Sequence, residues 1–171
     1  SVNYAMAGYN IATWLADAIG GEGNVIIMEG IPGASASDSQ HAGMKAGFAE
    51  YPDITIVAEI AHMWTPQIAQ AELQKWLSAN TTQVDGFAVQ SSGESGALNA
   101  LESSGRPMVP MALGGEIGAF CYWRNNPDFI DRAIYAWPPG DDAEFAMNVL
   151  LRTMQGQGLK IQSILVPPYE E

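Results

Sequence analysis

The side chains best suited to recognition chemistry in this sequence are amides, one carboxylate and two tryptophans that follow apolar runs. They are Gln40, Trp64, Gln90, Glu116 and Trp137. Amides and carboxylates hydrogen-bond to hydroxyl groups, and an indole face packs against the apolar C–H face of a sugar ring. No lysine or arginine belongs to the set, so a phosphate group is a poor match. These residues predict a neutral, polyhydroxylated ligand.

Few groups are suited to covalent catalysis. His41 and His62 have no serine or cysteine nucleophile evidently paired with them, and both are expected to be surface or rim residues. Cys121 lies in an aromatic stretch typical of packing, where a free thiol is usually inert. The stretch 91–96 lacks the spacing of a G-x-S-x-G nucleophile elbow. We therefore predict no catalytic residue.

Composition limits the class of protein further. The chain has 171 residues, 47% of them hydrophobic, which predicts a single globular domain. Its net charge of −12 repels nucleic acid and anionic lipid surfaces. No apolar run approaches the ~20 residues that span a bilayer. The single cysteine lacks zinc-binding neighbours, so no metal site is predicted. Gly21-Glu22-Gly23 precedes a strand, whereas the glycine-rich turn that binds a dinucleotide follows one, so no cofactor is predicted.

Strands and helices are predicted to alternate along the whole chain. Apolar runs predict strands over 24–29, 54–60, 84–90, 107–113, 133–137 and 161–166. Helical spacing predicts helices over 4–19, 37–50, 65–77, 91–103, 116–123 and 138–156. Thr65 is expected to cap its helix through the hydroxyl, with Pro66 at the first position, and Ser91 and Glu94 have capping-box spacing. The alternation predicts an α/β fold: a three-layer sandwich around a mostly parallel sheet of about five to six strands.

The strand ends determine where a ligand is expected. In open α/β sheets, ligands bind at the carboxyl ends of the strands, where the segments containing Gln40, Trp64, Gln90, Glu116 and Trp137 should meet. Trp14 and Trp76 lie within helical patterns, so both are assigned to packing. The final residues, 166–171, are expected to be an extended segment that leaves the domain.

Several segments, in order, carry a resemblance to a known family. They are the glycine-rich run 30–35 with Gly43 and Gly47, the turn 51–54, the strand 84–90 followed by 96–101, and the terminal run 164–167. Together they resemble the periplasmic sugar-binding proteins of ABC importers, of the ribose-binding type. That fold is shared with the effector domains of lactose-repressor-like regulators.

The resemblance implies a two-lobed parent. Those proteins clamp a ligand between two similar lobes joined by a hinge, and their chains are nearly twice as long. Residues 1–171 resemble the carboxy-terminal lobe alone, one lobe of a type 1 periplasmic-binding-protein fold. On that interpretation Ser1 and Glu171 are cut ends, and the absent first lobe carries the signal peptide.

Site residues follow from the resemblance one position at a time. Gln40 stands where an arginine is frequent, and Trp64 where an aromatic ring stacks on the sugar. Gln90 replaces an asparagine or aspartate, and Glu116 best matches the carboxylate after the fourth strand. Trp137 occupies a position often filled by glutamine. Asn3 lies near the crossover between the lobes.

The function implied is that of a solute-binding protein of an ABC-type importer, located in the periplasm. It would bind a small neutral sugar or polyol by hinge closure and deliver it to a membrane permease. A binding protein that feeds a sensor would look the same. The alternatives are the effector domain of a transcription regulator, and a free-standing α/β enzyme that requires His41, His62 or Cys121.

Overall fold

The computed structural model describes residues 3–129, 132–136, 139–157 and 169–170. The helices are α1 (Tyr4–Ala18), α2 (Ser35–Phe48), α3 (Pro66–Ala79), α4 (Glu94–Ser104), α5 (Ile117–Asn125) and α6 (Pro139–Met154). The strands are β1 (Glu22–Glu29), β2 (Asp53–Ala61), β3 (Gly86–Val89), β4 (Met111–Leu113), β5 (Arg132–Ala136) and β6 (Tyr169–Glu170). The predicted alternation is confirmed. The strand predicted over 161–166 and the ligand candidate Trp137 lie outside the described residues.

The strands form one sheet in the order β2-β1-β3-β4-β5-β6. Neighbours from β2 to β5 are parallel, and each parallel crossover needs a helix, as the alternation predicted. β6 runs antiparallel to β5, with Ala136 opposite Tyr169. The prediction that the last residues leave the domain is therefore wrong for Tyr169 and Glu170. The mostly parallel α/β architecture is the one expected.

The core has two parts because the sheet is covered on both faces. Ile26 and Met28 of β1 pack among residues of α3 and α4, whereas Val25 and Ile27 pack among residues of α1 and α2. Alternate side chains of a strand point to opposite faces, so a strand buried on both sides is apolar throughout. Trp14 and Trp76 pack against these two clusters, as predicted.

Two glycines let α1 and α2 approach closely. A Cβ on Gly43 would lie 1.9 Å from the carbonyl oxygen of Ala5, and one on Gly8 would lie 1.9 Å from that of Gln40. No larger side chain fits between these backbones, because real Cβ contacts are never this short. The contact places Gln40 of α2 beside the first turns of α1.

Some local predictions need correction. Thr65 precedes α3 with Pro66 at its start, but the Thr65 hydroxyl donates to the carbonyl oxygen of Met63 at 3.1 Å and caps no helix N–H. α4 begins at Glu94 with Gly93 as its N-cap, so the capping box predicted from Ser91 is wrong. Cys121 is exposed, whereas packing was predicted for it.

Candidate functional site

The strand order itself creates a crevice. The chain leaves β1 through α2 toward β2 on one side, and it later enters β3 on the other side of β1. Connections therefore diverge from the carboxyl ends of β1 and β3, and ligands in open α/β sheets bind at such a switch point. Gly30 follows β1 here, and Gln90 follows β3.

A surface groove of about 350 Å³ opens at this edge. Its lining combines amide, hydroxyl and aromatic side chains with one alanine: Tyr4, Ala36, Gln40, Trp64, Ser91 and Ser92. The volume lies at the lower end of the roughly 300–1,000 Å³ range of small-molecule sites. Gln40 and Trp64, both predicted from the sequence, thus line the same groove, and no Lys or Arg is among the lining residues.

Gln40 contributes a buried hydrogen-bond donor to the groove. The residue is only 5% exposed, and its Nε2 has no hydrogen-bond partner within the part of the chain that the structure describes. An unsatisfied buried amide costs free energy, about 1–3 kcal/mol, so such a group usually has a partner. A ligand hydroxyl or a water molecule in the groove would supply one.

Trp64 stands on a tight turn after β2. Met63 and Trp64 both have left-handed backbone, with φ of 55° and 52°. The turn is held by Met63 N–H, which donates to the Gly30 carbonyl at 3.1 Å, and by Thr65 N–H, which donates to the His62 carbonyl at 2.9 Å. Left-handed non-glycine residues cluster at functional sites, where the surrounding structure supports the strain. The indole remains 37% exposed at the groove.

The β3–α4 loop completes the groove on its other side. Ser92 is a third residue in left-handed conformation, with φ of 69°. The Ser91 hydroxyl donates to the carbonyl oxygen of Gly114 at 2.6 Å, which ties this loop to the loop after β4. This hydrogen bond fixes Ser91 with respect to the loop after β4.

Gln90 lies beneath the groove. It is fully buried, and its Oε1 accepts hydrogen bonds from Gly30 N–H at 2.9 Å and from the Ser37 hydroxyl at 3.0 Å. Its Nε2 donates to the Ser37 carbonyl at 3.0 Å. The side chain predicted to bind ligand thus joins the end of β3 to the loop after β1 and to α2, and it supports the groove from below.

Glu116 belongs to a cluster of buried polar groups at the same edge of the sheet. Its carboxylate accepts hydrogen bonds from the Ser95 hydroxyl at 2.6 Å and from Ser95 N–H at 2.9 Å. Its own N–H donates to Glu94 Oε1 at 3.2 Å. Burial raises the pKa of the fully buried Glu94 to about 8, and the neighbouring Glu116 adds to the rise.

His62 is the third member of this cluster. It is fully buried, which overturns the prediction of a surface or rim position. Its ring lies against Gly93, where a Cβ would be 2.7 Å from Nδ1. Burial lowers the pKa of His62 to about 4, although the Gln90 carbonyl and the charge of Glu116 oppose the change. The imidazole is therefore neutral at physiological pH.

Two further predictions concern the beginning of the chain and the catalytic alternative. Asn3 caps α1, because its Oδ1 accepts a hydrogen bond from Met6 N–H at 3.1 Å. The next residue, Tyr4, lines the groove. His41 lies away from these groups, between Glu29 and Glu59, with 2.5 Å and 2.7 Å between the paired atoms. Within the described residues, no group of His, Cys, Asp and Glu side chains is arranged to hold a metal ion.

The positions of Glu94, His62, Ser92 and Tyr4 at this edge of the sheet are not evident from the sequence pattern. The sequence pattern predicts helix capping for Glu94 and a surface or rim position for His62. One available signal was position, because His62 directly follows β2 and Glu94 begins the helix after β3. Their burial depends on loops from separate elements, which the local pattern does not reveal.

Comparison with known proteins gives consistent matches. The profile of the family described as periplasmic binding protein domain matches residues 1–158. A xylitol-binding protein of Mycolicibacterium smegmatis is 34% identical over 106 residues, which cover 61% of this chain and 30% of that protein.

Solved structures with the same fold include two that contain sugars. An ABC transporter periplasmic solute binding protein from Actinobacillus succinogenes, with bound D-allose, is 28% identical, with a TM-score of 0.89 over 100% of this chain and 59% of that chain. A solute binding protein from Agrobacterium vitis, bound with α-D-tagatopyranose, shares the fold at 18% identity and a TM-score of 0.86, over 100% of this chain and 57% of that chain. The chain thus spans little more than half the length of these structural relatives.

Proposed function

Because this chain belongs to the periplasmic binding protein domain family, we propose that it forms one wall of a cleft that captures a neutral sugar or polyol without covalent chemistry. The observation that carries the proposal is the pairing of Gln40 and Trp64 in one groove at the switch point of the sheet. Gln40 offers a buried donor without a partner among the described residues, and Trp64 offers a partly exposed indole ring. This is the combination that a hydroxylated ring requires.

Charge supports a neutral ligand. The groove residues include no cation, and Glu116 brings a carboxylate to the same edge of the sheet. A phosphorylated or carboxylated ligand would meet repulsion with no compensating ion pair, whereas a hydroxyl group would donate to a carboxylate oxygen. The names of the relatives agree with this chemistry, because xylitol, D-allose and tagatose are uncharged.

The proposed capture requires a second wall. Residues 1–171 would be one lobe, and a partner lobe would close over the groove by a hinge motion, burying the ligand between the two. In this arrangement Glu116, Trp137 and Asn3 would contribute further contacts from the described lobe or its borders, while Gln90 would keep the loop after β1 in place. The closed form would be the one that a membrane permease recognises.

Transport would place the protein outside the cytoplasm. The family is described as a periplasmic binding protein domain, and the relative from Actinobacillus succinogenes is an ABC transporter periplasmic solute binding protein. We therefore propose an exported protein that serves an ABC-type importer. Within the described residues, no helix is both long and apolar enough to cross a membrane.

Ligand titrations of the chain with xylitol and D-allose, followed by two-dimensional NMR, test the proposal. We expect weak but saturable binding, because only one wall of the cleft is present. Trp64→Ala should weaken it at least about fivefold, since an aromatic contact contributes about 1 kcal/mol beyond its buried area. Gln40→Leu should also weaken binding.

A matched control comes from α3. Gln67→Leu makes the same chemical change at an exposed residue outside the groove, and it should leave affinity unchanged. If Trp64→Ala and Gln40→Leu both bind these ligands as tightly as the unmodified chain does, the groove is not part of the ligand-binding site. Failure of the unmodified chain to bind any neutral sugar or polyol would contradict the proposed function itself.

A further inference from the structure

The helices α1 and α2 both begin at the edge of the sheet where the groove opens. α1 leads into the start of β1, whereas α2 follows the end of β1, so the two helices run parallel to each other. Their contacts agree, because Gly43 lies against Ala5, and farther along both helices Gly47 lies against Ala12. The first turns of α1 and α2 therefore lie next to each other beside the groove.

Glycines keep the two helices in backbone contact at this end. A Cβ on Gly43 would lie 1.9 Å from the carbonyl oxygen of Ala5, and one on Gly8 would lie 1.9 Å from that of Gln40. The hydrogen atom that glycine carries there points at the carbonyl oxygen instead, a contact that recurs where helices pack closely. A methyl group at either glycine would push the helices apart until the distance reached at least the 3.4 Å of ordinary contact.

The lining of the groove continues this interface by one helical turn. Tyr4 lies four residues before Gly8 on α1, and Ala36 lies four residues before Gln40 on α2, so each pair shares one helix face. Tyr4, Ala36 and Gln40 all line the groove. Side chains of a helix lean toward its N-terminus, so Tyr4 and Gln40 extend from the glycine contacts toward the groove.

Gln40 connects the helix contact to a ligand. The residue is 5% exposed, and its Nε2 has no hydrogen-bond partner in the part of the chain that the structure describes. Its backbone carbonyl is the group that Gly8 touches, so the glycine contact fixes the backbone from which this donor extends. A buried donor of this kind needs an acceptor in the groove. The distance from Gln40 to Tyr4 then determines how wide a ligand the groove can hold.

We propose that Tyr4 is a specificity-determining residue of the groove, and that Gly8 and Gly43 are positioning residues that set its distance from Gln40. The role of Tyr4 toward a ligand rests on the proposed function above. Because the glycines bring the two helices as close as their backbones allow, the groove favours a slim neutral polyol over a bulkier sugar ring.

Gly43→Ala tests the proposal from the side of the helix contact. The added methyl group should part the first turns of α1 and α2, so a slim ligand would no longer contact Tyr4 and Gln40 together, whereas a ring would gain room. The measurement is the ratio of the Kd for xylitol to the Kd for D-allose, from titrations followed by two-dimensional NMR. The ratio should rise at least about fivefold, since one methylene in a fitted pocket alters discrimination about tenfold or more.

A matched control lies in the same interface, farther from the groove. Gly47→Ala adds the same methyl group, which would lie 2.8 Å from the Cβ of Ala12. It should lower the stability of the fold but keep the ratio within about twofold, because distant changes act independently. If Gly47→Ala moves the ratio as much as Gly43→Ala does, the effect is a general loosening of the helices and the proposal is wrong.

Tyr4→Ala tests the proposal from the side of the groove, and it decides the matter if Gly43→Ala does not fold. It removes the ring without adding a group between the helices, so the ratio should rise as in Gly43→Ala. Tyr4→Phe keeps the ring and should leave the ratio unchanged. Where Gly43→Ala folds, adding it to Tyr4→Ala should raise the ratio no further, because both changes remove one contact.

Two outcomes distinguish the specificity of Tyr4 from the proposed function. If the unmodified chain binds xylitol or D-allose but neither Tyr4→Ala nor Gly43→Ala changes the ratio, Tyr4 does not determine specificity and the proposed function stands. If the unmodified chain binds neither these ligands nor any other neutral sugar or polyol, the proposed function is wrong, and the role of Tyr4 fails with it.

Discussion

The indole of Trp64 occupies the space where a side chain at position 30 would begin. A Cβ built on Gly30 would lie 2.0 Å from Trp64 Nε1 and 2.5 Å from Cε2. Gly30 does not have a left-handed backbone conformation. Glycine is therefore required here only because it has no side chain that would clash with Trp64. The glycine that follows β1 thus allows the tryptophan after β2 to lie against the backbone at the switch point of the sheet.

Gly30→Ala should displace Trp64. The added methyl group cannot coexist with the indole in its present position, so we expect a loss of about 1–3 kcal/mol in the free energy of unfolding, as for other overpacked sites. Urea titration monitored by circular dichroism measures it. The same substitution in a Trp64→Ala background should cost less than about 0.5 kcal/mol, because the obstacle has been removed. Equal costs in the two backgrounds would show that Trp64 is not the neighbour that excludes a side chain.

The order of elements could be predicted because it is encoded locally. The apolar run in β1 is continuous since that strand is buried on both faces, and α1 shows helical spacing since only one face is buried. The prediction that Trp64 and Gln40 lie at one edge of the sheet followed from topology, and both line the groove. Whether they bind a ligand stays a prediction.

The positions of Gln90, His62 and Glu94 could not be predicted in the same way. Each is polar and lies at or next to the end of an element, which is typical of an exposed position. Their burial depends on partners far away in sequence: Gln90 bonds to Ser37, 53 residues earlier, and Glu94 bonds to Glu116, 22 residues later. A local pattern holds no information about such contacts.

Gln90→Leu should lower the free energy of unfolding while changing the fold little. Leucine has a similar volume but no acceptor, so Gly30 N–H and the Ser37 hydroxyl would both lose a buried partner. Each unsatisfied buried group costs about 1–3 kcal/mol, and we expect a total loss of at least about 2 kcal/mol in urea titrations. Gln67→Leu on the exposed side of α3 should stay within about 0.5 kcal/mol of the unmodified chain. A Gln90→Leu protein of full stability would mean that this amide does not join β3 to α2.

His62 should make the protein less stable in acid. Its pKa is lowered to about 4 in the folded chain, whereas an unfolded chain has the ordinary value of about 6.5. Between these values the unfolded state binds one more proton, so stability falls as the pH decreases, by up to about 1.4 kcal/mol per pH unit. The contribution is complete above pH 6.5 and is lost as the pH falls through about 4.

His62→Leu removes this pH-dependent contribution while keeping an apolar group against Gly93. The contribution of Glu94, which runs in the opposite direction, is common to both proteins and cancels in their difference. Urea titrations from pH 7 to pH 4 should therefore show the unmodified chain losing stability relative to His62→Leu only below about pH 6.5, and parallel curves would mean that the His62 ring is open to solvent protons.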